Sequence, residues 1–272
     1  MTALLLVLAF LFGVNIGSFL NVVIWRVPRD ESIVRPPSHC PRCEQPISPR
    51  DNIPVVSWLL LRGRCRHCNE PISSRYPAVE LLTGVLFAVM AARFGPAAEL
   101  PAFLYLVAIA VALALIDIDT KRLPNAIVLP SYVVAAVLLT VAAAVTGEWD
   151  RLLRAGLGAA VMYAFYFLLA FAKPGAMGFG DVKLAGVLGL YLGWLGWGVL
   201  LVGLFLGFLF GGVLGALLMA VGKAGRKSKI PYGPFMLLGA LVAVLFGSAL
   251  AGWYTETLGL SDALAALAGV RP

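Results

Sequence analysis

The chain has 272 residues, of which 61% are hydrophobic and only 13% charged, with a mean hydropathy of +0.92 and a formal net charge of +7. This composition excludes a soluble globular domain and places the chain in a membrane. The basic excess does not call for a nucleic-acid partner, because its distribution along the chain has another explanation.

Eight apolar windows, each near the ~20 residues that a helix needs to cross a bilayer, follow one another. They run Ala3 to Trp25, Ala78 to Phe94, Pro101 to Ile118, Ala126 to Val145, Leu152 to Ala172, Val182 to Leu195, Trp197 to Val221 and Phe235 to Tyr254. The sixth is short, and "GWLGWG" is a weak boundary between it and the seventh. The first window has no basic residue ahead of it and ends in "WRVPR" without a small-residue cleavage site, so it is expected to remain as an anchor. With the N-terminus outside, every lysine and arginine falls in a cytoplasmic segment except Arg93, Arg151, Arg154 and Arg271. Positive charge kept inside accounts for the net charge, and no nucleic-acid partner is expected. The organisation is therefore a first transmembrane helix (1–25), a cytoplasmic domain (26–77), a transmembrane core (78–256) and a C-terminal tail (257–272).

The cytoplasmic domain repeats itself. "CPRCEQPISPR" from Cys40 and "CRHCNEPISSR" from Cys65 agree at both cysteines, at Pro-Ile-Ser and at the final arginine, and they hold all four cysteines of the chain. In a reducing compartment, two C-x-x-C knuckles point to a tetrahedral metal site rather than disulfides. Cys40, Cys43, Cys65 and Cys68 are the expected ligands of one structural zinc ion, since four protein ligands leave no open position for catalysis. Four unliganded thiols or a redox dithiol pair are the alternatives. His39 and His67 could replace a thiol, but are read as exposed neighbours of the cluster. A loop of about fifty residues has little core, so a bound metal would stabilise it.

Most acidic residues lie in loops, but Glu80, Asp117, Asp119 and Asp181 fall in or at the edges of apolar windows, where a carboxylate costs about 2.5 kcal/mol or more. Asp117 and Asp119 lie in "LIDIDTKRLPN" at the cytoplasmic end of the third window, and Asp181 lies in "GFGDVK" at the cytoplasmic start of the sixth. Two carboxylates at one depth on one side, if held close, cannot both ionise cheaply. One then keeps a proton while the other acts as base, the arrangement that activates water against a peptide carbonyl. Gly178 and Gly180 would permit close backbone approach and a tight turn into a helix beginning at Asp181. Against this, Lys183 could pair with a carboxylate and Asp181 could be a helix cap. Glu80 is read equally as a helix-start charge or as a contact to substrate or to Arg75.

Other chemistries are absent from the text: there is no HExxH, no Walker loop and no dinucleotide fingerprint, and both histidines sit in the cysteine domain. Asn15, Ser18 and Asn21 are expected to hydrogen-bond between helices, "GLFLGFLFGGVLG" to pack closely, and Trp194, Trp197 and Trp253 to sit in interfacial belts.

These residues resemble the type IV prepilin peptidases, the bifunctional leader peptidases and N-methyltransferases of pilus assembly and type II secretion. The resemblance runs through "GSFLNVVIWRVPR", the doubled C-x-x-C, "SWLLLRGRCRHC", "SSRYPAVELLTG", "DIDTKRLPN", "GFGDVK" and "KIPYGPF", in that order. It implies an all-α polytopic membrane protein of about eight transmembrane helices with a small zinc-binding domain, a GxGD-type intramembrane aspartyl protease. Asp117 matches the first catalytic aspartate of the family by its spacing to Leu123-Pro124, Asp181 the second, and Asp119 a frequent companion. The implied reaction is removal of a short basic leader from prepilins or pseudopilins on the cytoplasmic side of the bacterial inner membrane. Methylation of the new N-terminus with S-adenosylmethionine follows, at residues no pattern here locates; the implied partners are the pilus or type II secretion machinery. A proton-coupled transporter using Asp117, Asp181 and Glu80 is the rival reading, and a zinc-stabilised scaffold another, but the transporter leaves the doubled cysteine motif without a use.

Overall fold

The computed structural model describes residues 2–173, 177–222 and 230–258. Lys223, Arg226, Lys227, Lys229 and Arg271, on which part of the charge argument rests, and the tail beyond residue 258 lie outside the described residues. Among the described residues the regular elements are helices, apart from two isolated β-bridges in the cysteine loop. This follows from the solvent: a backbone in lipid must satisfy its polar groups internally, and a helix does so within one segment. The chain divides into two compact units, Met1–Pro130 and Ser131–Pro272.

In the first unit, α1 (Thr2–Arg26), a five-residue α2 (Val56–Leu60), α3 (Arg75–Phe94) and α4 (Leu100–Thr120) precede the start of α5 (Asn125–Thr146). The axis of this unit is the α1–α3 pair, against which α4 packs. Gly13 and Gly17, four apart on one face of α1, make the approach possible. A Cβ on Gly13 would stand 2.7 Å from Phe87 Cβ, and one on Gly17 would stand 2.7 Å from Glu80 Cα. In lipid, where apolar side chains gain nothing by leaving solvent, such close backbone approach is the main source of helix association. Phe87, Met90, Phe103, Leu106, Leu113 and Ile116 fill the core behind it. Asn21 Nδ2 donates to Tyr76 O at 3.2 Å, as expected of an interhelical contact. Asn15 is exposed and instead donates to Leu11 O in its own helix at 2.7 Å.

The second unit holds most of α5 and then α6 (Trp149–Ala172), α7 (Phe179–Leu195), α8 (Trp197–Ala220) and α9 (Gly233–Thr257). Helix α7 packs against α6, α8 and α9, and its residues from Leu184 to Trp194 are all buried. A helix that is apolar all round is a core helix. This explains the short sixth window: α7 has 17 residues, at the low end of what spans ~30 Å, and protein surrounds it. The other seven long helices are long and apolar enough to cross a membrane, so the protein is a multi-pass membrane protein with eight long helices among the described residues. The weak boundary at "GWLGWG" is a real break, since Gly196 at φ 145 separates α7 from α8. Trp194 is not an interfacial residue. It is fully buried at the end of α7, beneath the Arg151 guanidinium, while Arg154 donates to the Gly193 and Trp194 carbonyls at 2.8 and 2.9 Å. Trp197 and Trp253 are exposed, as a belt requires. In the glycine-rich run, Gly203 lies against Leu192 and Gly207 against α9, whereas Gly212 has open space around it.

Candidate metal centre and aspartate site

The repeated cysteine text folds as the same structure twice. In the first knuckle Cys40 N–H donates to Gln45 O at 3.0 Å and Glu44 N–H to Cys40 O at 2.9 Å; in the second, Cys65 N–H donates to Glu70 O at 2.8 Å and Asn69 N–H to Cys65 O at 3.0 Å. Glu44 and Asn69 both take φ 58, and the bridges His39–Pro46 and Arg64–Pro71 close the two turns. The four sulfurs lie within 4.8 Å of one another, with Cys40 Sγ and Cys68 Sγ 3.7 Å apart and Cys43 Sγ and Cys65 Sγ 4.0 Å apart.

The local electrostatics suit a cation. The amides of Cys43 and Arg42 lower the Cys40 thiol to about 7, and those of Cys68 and His67 lower Cys65 in the same way. At Cys68 the Glu70 amide also lowers, but burial and three neighbouring sulfurs outweigh it and push this thiol up to about 12. Four thiolates this close repel one another unless a positive ion sits between them, so the donor set fits a metal. Neither histidine belongs to the cluster; His39 Nδ1 lies 3.2 Å from Pro37 O.

The rest of the loop is held by a few specific contacts. Arg66 grips Asp51 through both oxygens at 2.6–3.1 Å, and this guanidinium holds the Asp51 carboxyl down at about 2. Trp58 lies over Gly63, whose φ of +67 and missing Cβ make room for the ring, and its Nε1 donates to Ile72 O at 3.0 Å.

Glu80 joins this loop to the helices. It is 7% exposed and accepts from Val55 N–H at 2.7 Å, and its Cα lies against Gly17 of α1. Val55 has φ 62 and ψ −52, with Val56 N–H closing onto Pro54 O at 2.6 Å: a γ-turn of the strained hand on a β-branched residue. Of the readings left open for Glu80, the contact to Arg75 does not form. Arg75 instead makes a forked ion pair with Asp119 at 3.0 and 2.5 Å. Sequence alone did not reveal this pair, because the two residues are 44 apart.

Helix geometry separates the two acids of "DID", since residues two apart do not share a face. Asp117 points inward and is 5% exposed, while Asp119 points outward to Arg75. The backbone of Asp117 also ends α4: Lys121, at φ 55, donates its N–H to Asp117 O at 2.8 Å.

Asp181 stands in the second unit, on α7. The helix begins at Phe179 and not at Asp181, which makes Asp181 its third residue and Gly178 its N-cap. Gly178 has extended dihedrals that any residue can adopt, so its role is not conformational freedom. A Cβ there would stand 3.2 Å from Asp181 Oδ2, so the glycine leaves room for the carboxylate to turn back over the first turn. Lys183 Nζ lies 5.1 Å from the Phe179 ring, and Lys183 O accepts from the Tyr132 hydroxyl at 2.6 Å. Tyr166 and Tyr232, whose hydroxyls are 3.2 Å apart, are within electrostatic reach of Asp181. Tyr132 and Tyr166 went unnoticed in the sequence, where single tyrosines in apolar windows carry no pattern; Tyr232 lies in the "KIPYGPF" segment.

Comparison with known proteins identifies two family models in this chain: the bacterial peptidase A24 N-terminal domain over residues 11–94 and the type IV leader peptidase family over residues 104–220. The prepilin leader peptidase/N-methyltransferase of Aeromonas hydrophila is 38% identical, covering 91% of this chain and 92% of that protein. Its namesake from Myxococcus xanthus (strain DK1622) is 43% identical over 82% of this chain and 66% of the relative, and that of Bacillus subtilis (strain 168) is 32% identical over 93% and 98%. No solved structure gives a significant match. Nothing in these comparisons supports a transporter. With both models in chain order and the Aeromonas and Bacillus relatives matched over nearly their whole length, the chain belongs to the type IV leader peptidase family.

Proposed function

We propose that this chain removes the short basic leader from type IV prepilins or pseudopilins and methylates the new N-terminal residue with S-adenosylmethionine, with Asp117 and Asp181 as the catalytic pair. The observation that carries the assignment of residues is the burial of Asp117 at the end of a membrane helix, where an acid that had no task would be costly. In this reading one carboxylate takes a proton from water as the oxygen attacks the scissile carbonyl carbon, and the other, protonated, gives its proton to the departing amide nitrogen. Gly178 makes room for the Asp181 carboxylate, and Tyr132 secures the first turns of α7 through Lys183 O. Gly180 and Lys183 remain supporting residues, while Asp119 and Glu80 hold the cysteine domain. Cys40, Cys43, Cys65 and Cys68 hold a zinc ion that folds domain 26–77; helix 1–25 anchors the chain and 78–256 form the peptidase core. The protein resides in the bacterial inner membrane with its aspartates and zinc domain facing the cytoplasm, where it serves a pilus or type II secretion system.

The test is leader cleavage by purified chain in lipid, read as mass loss from a prepilin substrate. Asp117→Asn and Asp181→Asn should each lower the rate by roughly 10²–10⁴-fold while keeping the metal content. A loss of only a few-fold for Asp181→Asn would overturn its catalytic role. Supplied with already cleaved substrate, both variants should still methylate it; a failure there would mean that one site performs both steps. Reporter fusions after Asn52 should read cytoplasmic and after Gly147 periplasmic, and the reverse result would remove the basis for the orientation.

A further inference from the structure

We propose that the outer face of α2 is a docking surface for the phospholipid bilayer that carries the protein, with anionic headgroups bound by the arginines beside it. The pattern of this short helix is inverted relative to a loop in water. Val56, Leu59 and Leu60, at the i, i+3 and i+4 positions of one helical face, are 48%, 61% and 77% exposed, and the preceding Ile53 is 50% exposed. The inward side carries Ser57, whose hydroxyl donates to Arg50 O at 2.9 Å, and Trp58, which covers Gly63. An apolar patch facing outward requires a partner.

The depth of α2 indicates which partner. Val55, the residue before the helix, is bonded to Glu80, and the Glu80 backbone packs against Gly17 of α1. Gly17 lies nine residues before the end of α1 at Arg26, or about 13 Å along its axis at ~1.5 Å per residue. The 25 residues of α1 make a rod of about 37 Å, against a hydrocarbon core of ~30 Å, so the two ends together overhang the core by only some 7 Å. A point about 13 Å from that end therefore lies roughly 6–13 Å inside the hydrocarbon core. The Glu80 side chain leans toward the start of α3, so its bond to Val55 holds the start of α2 close to the hydrocarbon boundary, near the depth at which Phe19 of α1 and Leu81 and Leu82 of α3 are exposed.

The charges match this placement. Arg50, bonded to α2 through its carbonyl, and Arg62 and Arg64, which follow the helix, are all exposed. The basic residues of the whole loop are arginines and not lysines, and a guanidinium binds phosphate oxygens in a fork that an ammonium cannot make. Apolar side chains in the headgroup layer with arginines at their edge describe an interfacial helix.

The experiment places a photo-crosslinker at the most exposed position, Leu60→p-benzoylphenylalanine, in the full chain, in nanodiscs of phosphatidylcholine with or without phosphatidylglycerol. Because the readout is an adduct and not activity, its outcome is independent of the assigned reaction. Unchanged metal content shows that the loop is folded. Illumination should give a phospholipid adduct by mass spectrometry, several-fold more abundant when phosphatidylglycerol is present, and Arg62→Gln with Arg64→Gln should remove that preference. Absence of a lipid adduct in both bilayers, or an adduct to a second copy or to added prepilin in its place, overturns the proposal. A lipid adduct indifferent to headgroup charge overturns the role given to the arginines.

Discussion

Glu80→Ala isolates the bond that fastens the cysteine loop to the membrane helices. Its loss leaves the Val55 N–H without its acceptor, in a place too enclosed for water to substitute fully, at a cost of about 1–3 kcal/mol. The γ-turn at Val55 stores strain of similar size, about 1–3 kcal/mol, so the turn has no reason to persist once the carboxyl group is gone. Opening of the segment should become easier by that amount, which raises amide exchange roughly 5–150-fold at 1.4 kcal/mol per tenfold. The affected amides are those of Ser57, Leu59, Leu61 and Gly63, whose bonds run back to Ile53, Val55, Ser57 and Trp58. Hydrogen exchange with mass-spectrometric detection on the protein in nanodiscs reads this directly. Glu80→Gln keeps a carbonyl acceptor and should stay near the parent. Val55→Gly should slow exchange or leave it unchanged, because release of strain offsets the ~0.5–1 kcal/mol of glycine entropy. The cysteine knuckles carry their own hydrogen bonds and should keep their metal in all three variants. Unchanged exchange in Glu80→Ala would refute the clamp, and a uniform rise over α1 and α3 would show that Glu80 acts in helix packing instead.

The Arg75–Asp119 pair is 44% and 36% exposed, so solvent limits it to about 1 kcal/mol or less; Asp119→Asn should cleave within a few-fold of the parent, and inactivity would mean that Asp119 is the catalytic member of "DID". Elemental analysis should find about one zinc per chain, and Cys43→Ser or Cys68→Ser should make residues 38–73 protease-sensitive before any loss of the membrane helices; a metal-free chain with a resistant loop contradicts the metal centre. Because Arg66 holds Asp51 at about 2, below its ordinary 3.8, the contribution of that pair is complete above the ordinary value and lost only as pH falls through about 2. The exchange difference between Asp51→Asn and the parent should therefore be constant from about pH 8 to 5, and a midpoint inside that range would show that the pair does not form.

The residues themselves determined the helices and the knuckles, for reasons that act locally. A run of some twenty apolar residues can only become a helix in lipid, which is why the windows and the helices agree within a few residues. The C-x-x-C text specifies its own turn through bonds four to five residues long, which is why two copies of the text gave two copies of the fold. That Asp117 and Asp119 lie on different faces follows likewise from helical period alone. Contacts between distant segments were decided only in the tertiary structure. Arg75 paired with Asp119, Glu80 accepted a backbone N–H from a strained turn, Trp194 went into the core instead of the interface, and α7 could be short because other helices enclose it. Each of these depends on which groups lie within about 3 Å after packing, and residues 25 to 44 apart in a chain meet only when the helices between them have chosen their neighbours.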